Sequence, residues 1–180
     1  MRIFVDSEAL PAMTVPQSFP RRVLLAATGV SPQIVTETLY RLAVHTDRPF
    51  VPTEIHLVST RRGIDQASRT LLDPETGQYH QLLSDYSMDG PGIRFGRETL
   101  HEIKDSNDQV LEDINDDDAN RAAADFILDL VRSFALDERC AIHASMAGGR
   151  KTMGFYLGYA MSLLGRPQDR LSHVLVNPPF

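Results

Sequence analysis

The chain has 180 residues, 42% of them apolar, and a formal net charge of −6. That length suits one domain, and that apolar share is enough for a buried core. The negative balance argues against duplex DNA as a partner, because duplex binding needs phosphate neutralisation, but it leaves room for a local basic pocket holding a small nucleotide.

Residues 1–20 read as a proline-containing arm with a short strand at residues 2–5. Acids and prolines interrupt this arm, and no apolar run approaches the roughly 18 residues of a membrane span, so neither a signal peptide nor a membrane partner is expected. The sequence RVLLAATG at residues 22–29 is a continuous apolar run closed by glycine, the pattern of a strand buried on both faces of a parallel sheet. A helix follows over residues 31–45, with Ser31 placed to cap it and Pro32 at its first position.

The unit then repeats. EIHLVST at 54–60 reads as a second strand, and 61–73 as a helix with Ile64, Ala67, Leu71 and Leu72 on one face. Residues 73–116 are punctuated by glycines and read as an irregular excursion, with short strands near 93–95 and 100–103. Acids open the next helix, whose inward stripe is Ala123, Phe126, Ile127, Leu130, Val131 and Phe134. A strand in CAIHASMAG, an almost wholly apolar helix ended by Gly165, and a last strand in LSHVLVNPPF complete the chain. Strands alternating with helices predict an α/β fold: a Rossmann-like, doubly wound, mainly parallel sheet with helices on both faces, spanning residues 21–180.

Cys140 is the single cysteine, which excludes an internal disulfide framework and a cysteine-rich zinc site. It reads as strand packing, and its isolation fits a reducing, cytoplasmic location.

In open α/β sheets ligands sit beyond the carboxyl ends of the strands, where the strand order reverses. Two loops belong there: ATGVSPQ after the first strand and SMAGGRKT before the apolar helix. The second loop fails the Walker pattern, since Arg150 separates Gly149 from Lys151 and no upstream glycine is present. The first has Gly29 alone, too little for a dinucleotide fingerprint. What remains is physical: glycines permit close backbone approach, and Arg150, Lys151 and Thr152 gather at a helix N-terminus that favours anions. The hydroxyls of Thr28, Ser31 and Ser145 are able to donate to phosphate or ribose oxygens. Taken singly, the same residues also read as an N-cap and as solvated surface charges.

Together, LLAATGVSPQIVTETLY, IHLVSTRRG, LEDI, SMAGGRKTMGFYLGYAMSLLGR and DRLSHVLVNPPF resemble the CRISPR-associated Rossmann-fold (CARF) proteins, in the branch of Csm-like ring nucleases. The resemblance runs from about Arg22 to the chain end. It implies a homodimer binding a cyclic oligoadenylate, most often the tetraadenylate, and cleaving it to switch off type III CRISPR signalling. A non-catalytic sensor domain of a longer effector is the alternative. Ser31, Arg150 and Lys151 fall at ligand-facing positions of the family pattern. The expected chemistry needs neither metal nor cofactor: an adenosine 2′-oxygen attacks its own 3′-phosphate in line and the next 5′-oxygen leaves. Lys151, helped by Arg150, would stabilise charge on the phosphoryl oxygens, and Ser31 would orient ribose or phosphate. Thr28, Gly29, Gln33, Thr60, Arg61, Ser145, Gly148, Gly149 and Thr152 complete the expected binding set.

Other candidates weigh less. His143 titrates in a useful range, but its strand position favours a buried structural role. Arg61 and Arg62 after the second strand read as ligand contacts or surface charges. Asp105, Asp108, Asp113 and Asp116 to Asp118 lack EF-hand spacing and read as solvated turn and helix cap. Arg94 with His101, and Arg166 with His173, match the spacing of HEPN ribonucleases, yet Pro167 and a strand at His173 are wrong for that helical site. An unrelated nucleotide hydrolase would need a Walker or metal site that the sequence lacks.

Overall fold

A computed structural model describes residues 15–88 and 92–173. The strand expected at residues 2–5 lies outside the described residues; of the last strand expected within 171–180, the start is described and residues 174–180 lie outside. The structure is a five-stranded sheet in the order β3-β2-β1-β4-β5, with every pair parallel. The strands are β1 (Arg21–Ala27), β2 (Glu54–Ser59), β3 (Leu100–Glu102), β4 (Cys140–Ser145) and β5 (Arg170–Ser172). Succession runs outward from β1 to β3 on one side and returns to β4 and β5 on the other. The order therefore reverses between β1 and β4.

Side-chain alternation along β1 divides the core. Val23, Leu25 and Ala27 pack beneath α4 (Asp117–Ala135) and α5 (Lys151–Leu164), whereas Leu24 and Ala26 face α1 (Ile34–Ala43), α2 (Arg61–Leu71) and α3 (Gln78–Asp85). With both faces covered, β1 carries no polar alternation, which is why its sequence is a continuous apolar run. Truncating one such fully buried leucine to alanine typically costs about 2–5 kcal/mol. The expected Rossmann-like α/β architecture is thus observed, with helices on both faces.

Local starts and stops differ in places from the sequence reading. Ser31 does not cap α1: the Val35 N–H bonds to the Pro32 carbonyl at 3.0 Å, a tight turn that delays the helix to Ile34. Pro32 is buried, and exposed Ser31 is left in the connecting loop. Within 73–116 the structure holds a helix, α3, that the sequence reading does not foresee, and the edge strand β3 where a short strand is expected; near residues 93–95 the described residues show an isolated bridge between Arg94 and Glu54. By contrast, α4 opens as anticipated, with the Asp116 carboxylate accepting from the Ala119 N–H at 2.7 Å.

Several polar residues serve the frame. Asp169 is buried and accepts from the Ile142 N–H and from Arg166. Arg166 also donates to the Ala135, Asp137 and Cys140 carbonyls, tying the turn after α5 to the α4–β4 connection. Arg94 is paired with Glu54, and His101 with His56. The HEPN-like spacings, set aside on sequence grounds, have these framework partners instead. Burial pushes the Cys140 thiol up to about 11, in keeping with a packing residue.

His143 is buried, with Nε2 2.8 Å from the Ser172 hydroxyl and its ring 5.4 Å from that of Phe50. Burial, aided by Arg170, lowers its pKa to about 4, and burial beside His56 does the same for His101. Both imidazoles are therefore neutral in the folded protein, while the unfolded chain binds protons near pH 6.5. Stability is fully present above that value and falls as pH drops toward about 4, because the unfolded state then binds more protons. Urea midpoints measured at about pH 7.5 and about pH 5 should show this loss, and His143→Asn should reduce its size.

Candidate functional site

The switch between β1 and β4 opens into a crevice of about 690 Å3 at the carboxyl ends of the strands. Its floor is the end of β1. Thr28 there is buried, its N–H donating to the Val58 carbonyl at 3.1 Å and its own carbonyl accepting the Ser59 hydroxyl at 2.5 Å. These bonds lock the first loop to β2. The second loop closes against it through glycines: a Cβ on Gly148 would stand 2.9 Å from both the Ala27 carbonyl oxygen and the Ile34 Cγ2. Gly149 has a φ of +79°, a left-handed conformation that costs other residues about 1–2 kcal/mol.

This backbone path sets Arg150 at the N-cap position of α5, without a side-chain cap bond. The first-turn N–H groups of a helix lack intrahelical acceptors, so the end of α5 is intrinsically favourable to anions. Thr60 occupies the corresponding position before α2, also without a side-chain cap bond.

Thr28, Gly29, Ser31 and Gln33 from the first loop line the crevice. Thr60, Gly148, Gly149 and Arg150 line it as well. Four expected site residues do not. Arg61 turns away, held by Glu112 at 3.0 Å and Glu102 at 3.6 Å. Ser145 is buried in β4 with its hydroxyl 3.3 Å from that of Thr38, stapling α1 to the sheet. Lys151 and Thr152 sit one step too far along α5 and line an adjoining groove with Asn115, Asp116 and Asn120. Lys151 also borders a groove shared with Phe155 and His173.

Other residues enter the crevice with weaker sequence signals. Arg62 lines it in place of its neighbour Arg61, because the first turn of α2 aims successive side chains about 100° apart. Glu37 lines it from α1, one turn beyond Gln33. Asp113 reaches in from the segment before α4 and binds Arg150 bidentately, Oδ1 to Nε at 2.9 Å and Oδ2 to Nη2 at 2.5 Å. The guanidinium holds the Asp113 carboxyl below its ordinary range. No spacing in the sequence joins residues 113 and 150. Asp113, a solvated acid in the sequence reading, thus lines the crevice and is paired. Among the described residues the crevice wall carries two cations, Arg62 and Arg150, and two carboxylates, Glu37 and Asp113. Among the described residues no group of three or more His, Cys, Asp or Glu side chains is placed to hold a metal ion. No described helix is long and apolar enough to cross a membrane.

The arrangement offers backbone N–H groups, hydroxyls and two guanidiniums to a phosphorylated ligand. Its geometry depends on Gly148 approaching β1. Gly148→Ala should cost about 1–3 kcal/mol in urea unfolding, and Ser31→Ala, at an exposed loop site without a cap bond, should cost less than about 0.5 kcal/mol.

Comparison with solved structures finds an Enterococcus italicus Csm6 bound to cyclic hexa-2'-fluoro-hexa-dAMP, 17% identical with a TM-score of 0.46. The alignment covers 87% of this chain and 34% of that one, so this chain spans about a third of the relative's length. No curated protein matches the chain. The family model for CRISPR-associated protein NE0113 matches residues 31–180, beginning in the crevice's first loop and taking in the whole second loop, and the chain belongs to that CRISPR-associated family.

Proposed function

We propose that this protein is a CARF-type ring nuclease that binds a cyclic oligoadenylate, with cyclic tetraadenylate as the preferred ring, and cleaves it without a metal. The observation that carries this reading is the crevice at the β1/β4 switch, walled by the two loops whose sequences resemble that family. A phosphodiester meets Arg150 and Arg62, the hydroxyls of Thr28, Ser31 and Thr60 and the amides of Gly148 and Gly149.

Catalysis by such a site is positioning and charge stabilisation. The adenosine 2′-oxygen attacks phosphorus as the 5′-oxygen departs in line. The 2′-proton is lost and the leaving oxygen gains one, giving a linear product ending in a 2′,3′-cyclic phosphate. Arg150 and Lys151 answer the charge on the phosphoryl oxygens, and Ser31 orients the reacting ribose.

Binding occurs in a homodimer, with the ring shared between two crevices. Support for the dimer comes from α5, where Phe155, Tyr159 and Leu163 are exposed at four-residue spacing directly after the second loop. Their alignment on one helical face is what a packing surface needs. Phe155 borders the same groove as Lys151, so a partner on that face also approaches this lysine.

A sensor that binds without cutting is the second reading. The position of Lys151 outside its own crevice favours it. Cyclic tetraadenylate incubated with the protein and EDTA should yield linear diadenylate ending in 2′,3′-cyclic phosphate. Binding without any product would leave the sensor. Lys151→Ala should cut about 10²-fold more slowly while remaining dimeric. Unchanged cutting by that variant would remove Lys151 from the reaction. In sedimentation velocity, Tyr159→Glu should shift the protein to a monomer; an unchanged dimer would place the interface elsewhere.

A further inference from the structure

The Nε–Nη2 edge of Arg150 is the edge on which a guanidinium grips two phosphate oxygens side by side. Asp113 already occupies that edge, mimicking the paired oxygens of a phosphodiester. We propose that Asp113 is an internal counter-ion that the incoming phosphate replaces, so that the crevice selects multivalent phosphate ligands over single small anions. This inference rests on the reading of the crevice as a phosphate-ester site.

Asp113 belongs to a strap running across the carboxyl end of the sheet. Leu111 fixes one end: its N–H bonds to the Ile103 carbonyl and its carbonyl accepts the Arg61 N–H at 2.9 Å. Glu112 pairs with the Arg61 side chain at 3.0 Å. Ile114 anchors the other end in the core beneath α4 and α5, and its N–H bonds to the Asp113 Oδ1 at 2.8 Å. The backbone therefore remains in place when the Asp113 side chain gives up Arg150. Exchange is a side-chain rotation that also releases the Ile114 N–H from the Asp113 Oδ1, while the Leu111 bonds and the buried Ile114 side chain hold the strap.

The electrostatics explain the selectivity. Asp113 and Arg150 are both partly exposed, with side-chain accessibilities of 35% and 50%, so the pair is a modest barrier. A single small anion gains about as much from Arg150 as it loses by releasing Asp113. A ligand with several phosphates gains additional contacts with Arg62 and the loop amides, and these make exchange favourable. Removing the charge at residue 113 abolishes the competition but leaves Arg150 in the wall.

The test compares wild type, Asp113→Asn, Arg150→Ala and the double variant by calorimetry, using inorganic tripolyphosphate and cyclic tetraadenylate as separate probes. Asp113→Asn should bind both about two- to fivefold more tightly, the worth of an exposed ion pair that no longer has to break. In the double variant that gain should vanish, since it acts through Arg150. The Arg150 Nε–H resonance should also move toward its phosphate-bound position in Asp113→Asn only after a probe is added. Weaker binding by Asp113→Asn would overturn the exchange and make Asp113 a positioning residue. A gain that persists in Asp113→Asn with Arg150→Ala would likewise overturn it. Tighter tripolyphosphate binding without any cyclic tetraadenylate binding would sustain the exchange while defeating the ring-ligand reading. Equal cyclic tetraadenylate binding by wild type and Asp113→Asn would do the reverse.

Discussion

The seating of Gly148 and Gly149 on the end of β1 is the contact from which the site follows. β1 is the central strand, fixed on one side by β2 and on the other by β4, so its last carbonyls cannot move aside. A side chain at Gly148 would strike the Ala27 carbonyl and Ile34. Only a bare backbone passes there, and the left-handed turn at Gly149 then directs the chain into α5. The two loops consequently share one crevice instead of flanking the sheet separately.

Charge is handled locally within an acidic protein. The segment before α4 supplies Glu112 to Arg61 and Asp113 to Arg150, so neighbouring acids in sequence restrain cations on different helices. These are partly exposed pairs, each of small energetic worth. Their effect lies in deciding which arginine faces the crevice, rather than in holding the fold together.

The most strongly held polar groups lie elsewhere. Burial raises the pKa of Glu54, but hydrogen bonds from Arg21, His56 and Arg94 prevail and hold it at about 2. Asp169 and Arg166 form a comparable buried knot, and His143 is kept neutral between β5 and Phe50. Such groups resemble catalytic machinery by residue type alone. Their partners are backbone carbonyls, strand hydroxyls and one another, which makes them framework.

Sequence by itself determined the elements whose signals are local. The apolar runs of β1, β2 and β4 reflect burial on both sheet faces, the 3.6-residue stripe of α4 reflects burial on one, and two glycine loops beside helix starts announced the crevice. Helix boundaries were less legible: Pro32 closes a turn before α1, so Ser31 became a crevice residue without being a cap. Only the tertiary structure decided what depends on direction and on distant partners. It turned Arg61 outward and Arg62 inward, buried the Ser145 hydroxyl against Thr38, and set Lys151 just beyond the crevice wall. It also brought Asp113 to Arg150 across 37 residues, a contact no periodicity encodes because it arises where the sheet's carboxyl end gathers separate loops.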